Sequence, residues 1–442
     1  MLNFRSGELS QWVSRLWKNG MPEGVVTGVS HDTRTIKPGN LYIAIKGENF
    51  DGHDFVADAF AKGAAGALVH ESFEWFANPV LKVHDTVKGL QNLARGYRKK
   101  WIGTPVGITG SVGKTTVKEM CADVLSVKGE THRTAGNYNN HIGLPLTMMA
   151  MPQTARYGVM EIGMNRPGEI GPLSYLLQPK IGIITDICNA HRESFRSLEE
   201  IAREKAKLAE RVPSTGTVIL DRDSEWYSLI RRHTCASVVT VSLEGVADYV
   251  GRNIGPQVLE VNGSNYLMPM PGEHIMRNAL RAVALGLELR MDPAEIAAGL
   301  ALFKAPAMRW QKSEVRGVKF INDAYNANPL SMRANLRTFS NAPATGKKWV
   351  VLGGMRELGE IEEDEHVALG RFIDELAVDG VIVVGELGRL IVCKKTERYF
   401  QCPGTAEAAQ RLQENVAPGD CVLLKASRGE QLEQVLNQFK EN

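Results

Sequence analysis

The chain is short of cysteine pairs, aromatic residues and net charge. Its six cysteines (Cys121, Cys188, Cys235, Cys393, Cys402, Cys421) are scattered through 442 residues with no CxxC pair, which excludes a disulfide scaffold and leaves reduced thiols as the simplest state. A net charge of +2 gives no broad footprint for nucleic acid or an anionic membrane. Neither is expected as a partner, and an acidic ligand must be held by local groups. No apolar run approaches the ~18 residues of a membrane span. The first twenty residues lack an apolar stretch flanked by a cleavage site, so a cytoplasmic location is expected. Repeats and low-complexity tracts are absent too. What remains, 43% hydrophobic and 23% charged residues, is the composition of an ordinary globular protein, long enough for about three domains.

The most informative stretch is PVGITGSVGKTTVKEM, residues 105–120. The β-branched residues Val106, Ile108 and Thr109 predict a buried strand, Gly110 and Gly113 a tight loop, and Thr115 onward a helix. Loop amides and the positive end of the helix dipole would converge on a phosphate, with Lys114 reaching its terminal oxygens and a threonine hydroxyl completing a Mg²⁺ shell. The spacing is a variant, because Gly110 and Gly113 enclose two residues where the general phosphate-loop pattern has four before its Gly-Lys pair. A bare Gly-Lys-Thr is more often an ordinary turn; the strand, loop and helix context favours nucleotide binding.

Residues 1–100 read as a small α/β unit. Its polar loops at 30–34 and 46–53 suit a binding surface, although turn chemistry alone would use the same residue types. Residues 101–307 alternate strands and helices, predicting a mostly parallel sheet whose ligands sit outside the carboxyl ends of its strands. Glu161, and Asp186 with His191, emerge at two such ends as candidate magnesium ligands or water-positioning groups. The helix predicted at 198–212 carries Leu198, Ile201, Ala202, Lys205, Leu208 and Ala209 on one face, with Glu200, Arg203, Glu204 and Lys207 opposite. Lys205 thus occupies a leucine-like position, where an ammonium needs a partner, a lost proton or a covalent change. Snorkelling to solvent is the alternative. Residues 308–442 predict a second, Rossmann-like α/β domain without a complete GxGxxG, so no separate dinucleotide site is expected there.

The chain resembles the Mur ligases, in SHDTRTIKPGNLYIAIKGENFDGHDF (30–55), TGSVGKTTVKEM (109–120), GNYNNHIGLPLT (136–147), EIGMNRPGEI (161–170), AHRESFRSLEEIAREKAKLAE (190–210), GEHIMRNAL (272–280), NDAYNANPLSM (322–332) and KASR (425–428). The phosphate loop is common to that family and to folylpolyglutamate synthases. The GNYNNHIG and NDAYNANP segments point to the branch that adds D-alanyl-D-alanine to UDP-N-acetylmuramoyl-tripeptide. The resemblance implies three α/β domains, with a phosphate-loop ATPase-type sheet in the centre. It implies an ATP-dependent ligase that forms an acyl phosphate on the tripeptide carboxylate, which the dipeptide amine then attacks to give an amide, ADP and phosphate.

Residue by residue, the resemblance gives Gly110, Ser111, Val112, Gly113, Lys114, Thr115 and Thr116 to the phosphates, and Asn278, Arg309, Asp323 and Asn326 to the rest of ATP. Thr115 and Glu161 would share one Mg²⁺ and His191 would serve a second. Lys205 would be the lysine that the family carbamylates with CO₂. Ser30, Asp32, Thr33, Arg34, Lys46, Gly47, Asp51 and His53 match the UDP-sugar region, and Asn139 and Asn140 are assigned to substrate as well. A monomer is expected, although no motif bears on assembly. The chain departs from the family pattern at Asn322, Gly354, Cys188, the Ala190–Glu193 segment and GEHIM. A Mur-type ligase with another acceptor or amine, and a non-catalytic ATP-driven switch, are the competing readings. Intact Lys114, Glu161, His191 and Lys205 argue against the switch.

Overall fold

The structure is a computed structural model and describes residues 3–441 apart from Pro256 and Thr396. Three sheets organise it. The first has the strand order Trp17–Lys18, Val80–Val83, Gly66–His70, Asn40–Ile43, Gly28–Ser30, parallel except at the Trp17 edge. The second has nine strands. Seven, from Thr131–Arg133 across to Tyr249–Gly255, are parallel, and Val258–Val261 and Ser264–Leu267 extend it antiparallel. The third has six, with Cys421–Lys425 between Val318–Asn322 and Lys348–Leu352 and an antiparallel edge at Gln311–Val315. This is the three-domain α/β architecture that the resemblance implies.

The central sheet is covered on both faces. Along its strands Ile183 and Ile219 join one apolar cluster, shared with Leu352 and Val383 of the third sheet. Their neighbours Ile184, Val218 and Leu220 join another, shared with Leu41 and Leu68 of the first. Alternate residues point to opposite faces, so each flanking domain closes a different face of the same sheet.

Several elements lie beyond what the sequence pattern predicted. The helix Thr86–Lys100 follows a cap in which Asp85 accepts from the Lys88 amide at 2.9 Å. It packs Leu90, Leu93 and Tyr97 into the core, and the Tyr97 hydroxyl donates to the Met151 carbonyl. The helix Pro293–Leu302 and the strands Gln311–Val315 and Tyr399–Cys402 were likewise unanticipated. Residues 249–267, whose strand pattern alone predicts a hairpin, form a three-stranded meander. The sequence pattern predicts a first helix near Leu9–Lys18; the helix found is Ser6–Val13, and it ends there because Ser14 turns into the left-handed region at φ 54°.

Candidate functional site

The strand Thr104–Thr109 lies between Tyr157–Glu161 and Ile181–Ile184, all parallel, so their carboxyl ends open at one edge. The glycine loop sits there. Gly110 and Gly113 have φ of 152° and 85°, conformations that a side chain would strain. The amides of Ser111 and Val112 donate to the Asp186 carbonyl at 2.8 and 3.3 Å, and the Ser111 hydroxyl donates to the Cys188 carbonyl at 3.1 Å. Because the backbone oxygen does this work, cysteine at 188 leaves the loop intact; burial pushes its thiol up to about 12. The helix Lys114–Ser126 starts directly from Gly113 and aims its free amides at the opening.

Lys114 Nζ donates to the carbonyls of Gly110 and Ser111 at 2.8 and 3.2 Å. The Thr115 hydroxyl donates to Glu161 Oε2 at 2.9 Å, and Asn139 Nδ2 to Oε1 at 2.8 Å. Glu161 is 2% exposed, and its amide is fixed by the Thr134 hydroxyl at 2.9 Å. Lys205 is 1% exposed on the helix Leu198–Arg211, with Nζ donating to the Gly110 carbonyl at 2.8 Å. Snorkelling is thereby excluded. Burial first, and the Lys114 charge second, hold its amine well below the usual lysine range. On the same helix Glu204 does not face solvent as its periodicity predicts. It is 4% exposed, accepting from the Ile170 amide at 2.9 Å at the start of the helix Ile170–Leu177 and from Lys207 Nζ at 2.5 Å.

A cavity of about 1900 Å³ opens between the second and third sheets. Ser111 to Thr116, Asn139, Asn140, Glu161, His191, Asn278, Arg309, Asp323 and Asn326 all line it. The Asp323 carboxylate accepts from the Trp310 amide at 2.7 Å and from buried Lys425 at 2.5 Å, while the Arg309 guanidinium lies 4.2 Å over the Tyr325 ring. Asn326 Oδ1 accepts from the Ala327 amide at 2.8 Å. Asn322 accepts from the Ala324 amide at 3.1 Å, so at this departure the turn is held by an amide oxygen. Gly354 faces Leu387, which fills the space a larger side chain would take. Within GEHIM, His274 is pushed down to about 4 by burial and is neutral.

Two expected metal groups are engaged otherwise. Asp186 is paired with Arg281 at 2.6 Å, and His191 Nδ1 with Glu357 at 2.5 Å. The acidic run from Glu357 to Glu365 reads in sequence as a solvated helix start. Glu357 bridges two domains instead, and its carbonyl accepts from the Glu193 amide at 3.4 Å. Among the described residues no group of three or more His, Cys, Asp or Glu is arranged to hold a metal. Thr115 with Glu161 still suits Mg²⁺, which takes one or two protein ligands and fills its shell with phosphate oxygens and water.

Residues 30–53 do not line the cavity. The Arg34 guanidinium pairs with Asp32 at 2.7 Å and holds its carboxyl down to about 2. Ser30 donates to the Asp32 carbonyl at 2.9 Å, the Thr33 carbonyl accepts from Lys62 at 3.0 Å and the Gly47 amide donates to Phe50 at 2.9 Å. Lys46 lies 3.9 Å from Asp51, and His53 bridges Asp51, at 2.6 Å, to the His70 amide, at 2.9 Å. The His31 ring meets Tyr138 edge-on at 6.4 Å, beside Asn139 and Asn140. Lys118 and Arg281, both 0% exposed, and Lys425, 1% exposed, were missed by the sequence analysis. A cation inside an apolar helical run, the signal that marked Lys205, is present at Arg281 too.

Three family models match the chain: "Mur ligase family, catalytic domain" over residues 25–98, "Mur ligase middle domain" over 108–286 and "Mur ligase, glutamate ligase domain" over 308–428. The UDP-N-acetylmuramoyl-tripeptide--D-alanyl-D-alanine ligase of Bacillus subtilis is 35% identical over 95% of this chain and 94% of its own. The enzyme of the same name in Escherichia coli is 33% identical over 96% of each. Among solved structures, MurF from Acinetobacter baumannii superposes with a TM-score of 0.91 at 28% identity, over 100% of this chain and 99% of that one. The Thermotoga maritima MurF ligase in complex with ADP gives 0.83 at 28% identity, over 94% and 97%.

Proposed function

The chain belongs to the Mur ligase family, ATP-dependent ligases of peptidoglycan-precursor synthesis, and on that premise we propose the following assignment of substrates and residues. The enzyme joins D-alanyl-D-alanine to the terminal carboxylate of UDP-N-acetylmuramoyl-tripeptide. Residues 1–100 bind the UDP-sugar, 101–307 bind ATP, and 308–442 close over both. The observation that carries this reading is that likeness to ligases of that name runs along nearly the whole chain, well beyond a phosphate loop that other ATP enzymes share.

Lys114 and the free amides of Gly113 to Thr116 bind the terminal phosphates of ATP, with the Ser111 and Val112 amides holding the loop's shape on the Asp186 carbonyl, and Asn278, Arg309, Asp323 and Asn326 bind the remainder. Thr115 and Glu161 would hold Mg²⁺, which would supply charge neutralisation at the phosphates. Asn139 orients Glu161. The tripeptide carboxylate, a poor electrophile, displaces ADP from the γ-phosphate to give an acyl phosphate. The dipeptide amine then attacks the acyl carbon and phosphate leaves. Positioning and charge complementarity supply most of the acceleration, while domain closure keeps water from the acyl phosphate. His191 reaches a second cation only by leaving Glu357. Lys205, an uncharged buried amine beside the loop, is suited to take up CO₂. The N–C bond forms as a proton leaves, and a carbamate replaces the amine. The reaction belongs in the cytoplasm, where ATP and the UDP-linked acceptor are held, and the enzyme acts as a monomer.

The test is ADP release measured with each substrate omitted in turn, together with mass spectrometry of the product. Turnover without the acceptor or without the dipeptide would overturn the assignment, and a mass increment other than one D-Ala-D-Ala would redirect it to another amine.

A further inference from the structure

Arg281 lies within the helix Glu273–Glu288, in an otherwise apolar run from Ala279 to Leu287, and is 0% exposed. A guanidinium taken out of water is stable only if its donors are met by charge or hydrogen bonds. Here Nη1 and Nη2 are met by groups of the nucleotide cleft, while Nε has no partner among the described residues. Nη2 donates to Asp186 Oδ1 at 2.6 Å and to Asp221 Oδ2 at 2.9 Å, and Nη1 donates to Asn278 Oδ1 at 3.2 Å. Each partner meets the phosphate loop or the cleft wall. The Asp186 carbonyl takes the amide protons of Ser111 and Val112. The Asn278 amide packs against Gly113, so that a Cβ there would fall 2.6 Å from Oδ1. Asp221 passes the charge on to Arg277 at 3.0 Å, which also meets Asp223 at 3.2 Å and Glu244 at 3.1 Å.

From this geometry we infer that Arg281 is a positioning residue for nucleotide binding: its one planar cation sets the shape of the phosphate loop through Asp186 and fixes the amide of Asn278 above that loop. By donating to Oδ1 it leaves Nδ2 of Asn278 as the donor available to a ligand. A lysine cannot reproduce this fork, since it offers a point charge in place of coplanar donors. The inference rests on the ATP-site assignment above and concerns a residue outside the cleft's own lining.

The experiment compares wild type with Arg281→Lys and Arg281→Met. Calorimetric affinities are measured for ADP and for inorganic pyrophosphate, which has no base, and steady-state KM values for ATP and D-Ala-D-Ala. Both variants should weaken ADP and pyrophosphate by ~10-fold or more, the scale of a lost charged hydrogen bond, and raise KM for ATP while KM for the dipeptide stays unchanged. A loss of kcat in proportion to the folded fraction, with nucleotide affinities intact, would overturn the inference and leave Arg281 a stability residue. Arg281→Lys keeps the buried charge, so it answers the question if Arg281→Met does not fold. Direct ADP binding also separates this result from the ligase assignment, which fails on wild-type turnover alone.

Discussion

Lys114 and Lys205 share one acceptor, the carbonyl oxygen of Gly110, with each Nζ at 2.8 Å from it. One carbonyl cannot neutralise two neighbouring ammonium groups, so desolvation lowers both amines, and Lys205, the fully buried one, falls further because Lys114 adds its charge. Replacing Lys205 with alanine is expected to reduce kcat by ~10³-fold, the scale for a group acting through transition-state charge. A carbamate role further requires that acetate or formate recover part of it. Absence of rescue, with ADP affinity retained, would remove the carbamate from the mechanism.

The same burial gives a stability prediction of the opposite sense. Lys205 has a folded pKa below its unfolded one, so the unfolded chain binds more protons between those values and wild-type stability rises with pH through that window. Lys205→Met has no such dependence. In the absence of nucleotide it is expected to be more stable than wild type near neutral pH by ~1–3 kcal/mol, as when buried ions give way to apolar groups. The advantage should shrink toward pH 10. Thermal melts across pH measure it, and a variant less stable at pH 7 would contradict the premise.

Gly113 sets the geometry that the loop needs. At φ 85° an alanine would be strained by ~1–2 kcal/mol, and its Cβ would meet the Asn278 amide at 2.6 Å. Gly113→Ala is therefore expected to lose ADP affinity by at least ~10-fold with only a modest fall in melting temperature. Calorimetry with ADP decides, and unchanged affinity would mean that the loop is not the nucleotide site.

These residues also show what was legible beforehand. Lys205 stood out because a helix has a fixed 100° step, and a cation in its apolar face breaks a pattern that needs no tertiary knowledge. Glu204, one step earlier, was misjudged for the converse reason. Periodicity marks which face is buried against an average partner, and it cannot see the Ile170 amide that a second helix brings to that carboxylate. The glycine loop was readable because its chemistry is local. The His191–Glu357 bridge, spanning 166 residues of sequence between two domains, has no local signature at all, and neither does the approach of Arg281 to Asp186. The strand Tyr399–Cys402 and the helix Pro293–Leu302 lie in stretches whose burial depends on neighbours far along the chain.

That bridge supplies the last prediction. His191, at φ 57°, and Glu357, at φ 66°, both hold left-handed backbone that a loop does not adopt without support. The histidine holds the Glu357 carboxyl below the usual glutamate range through their hydrogen bond. A carboxyl depressed in this way contributes its stabilisation above the unfolded value and loses it as pH falls through the folded one, so contact between the domains weakens in acid. Half the Glu357 side chain is exposed, which makes the pair sensitive to salt and small in its effect on global stability. Its effect is expected in shape. Glu357→Gln should raise the radius of gyration in small-angle scattering without nucleotide while shifting the melting temperature little, and wild type at high salt should approach the same value. An unchanged radius in both conditions would show that the apolar cluster between the second and third sheets holds the domains together without this pair.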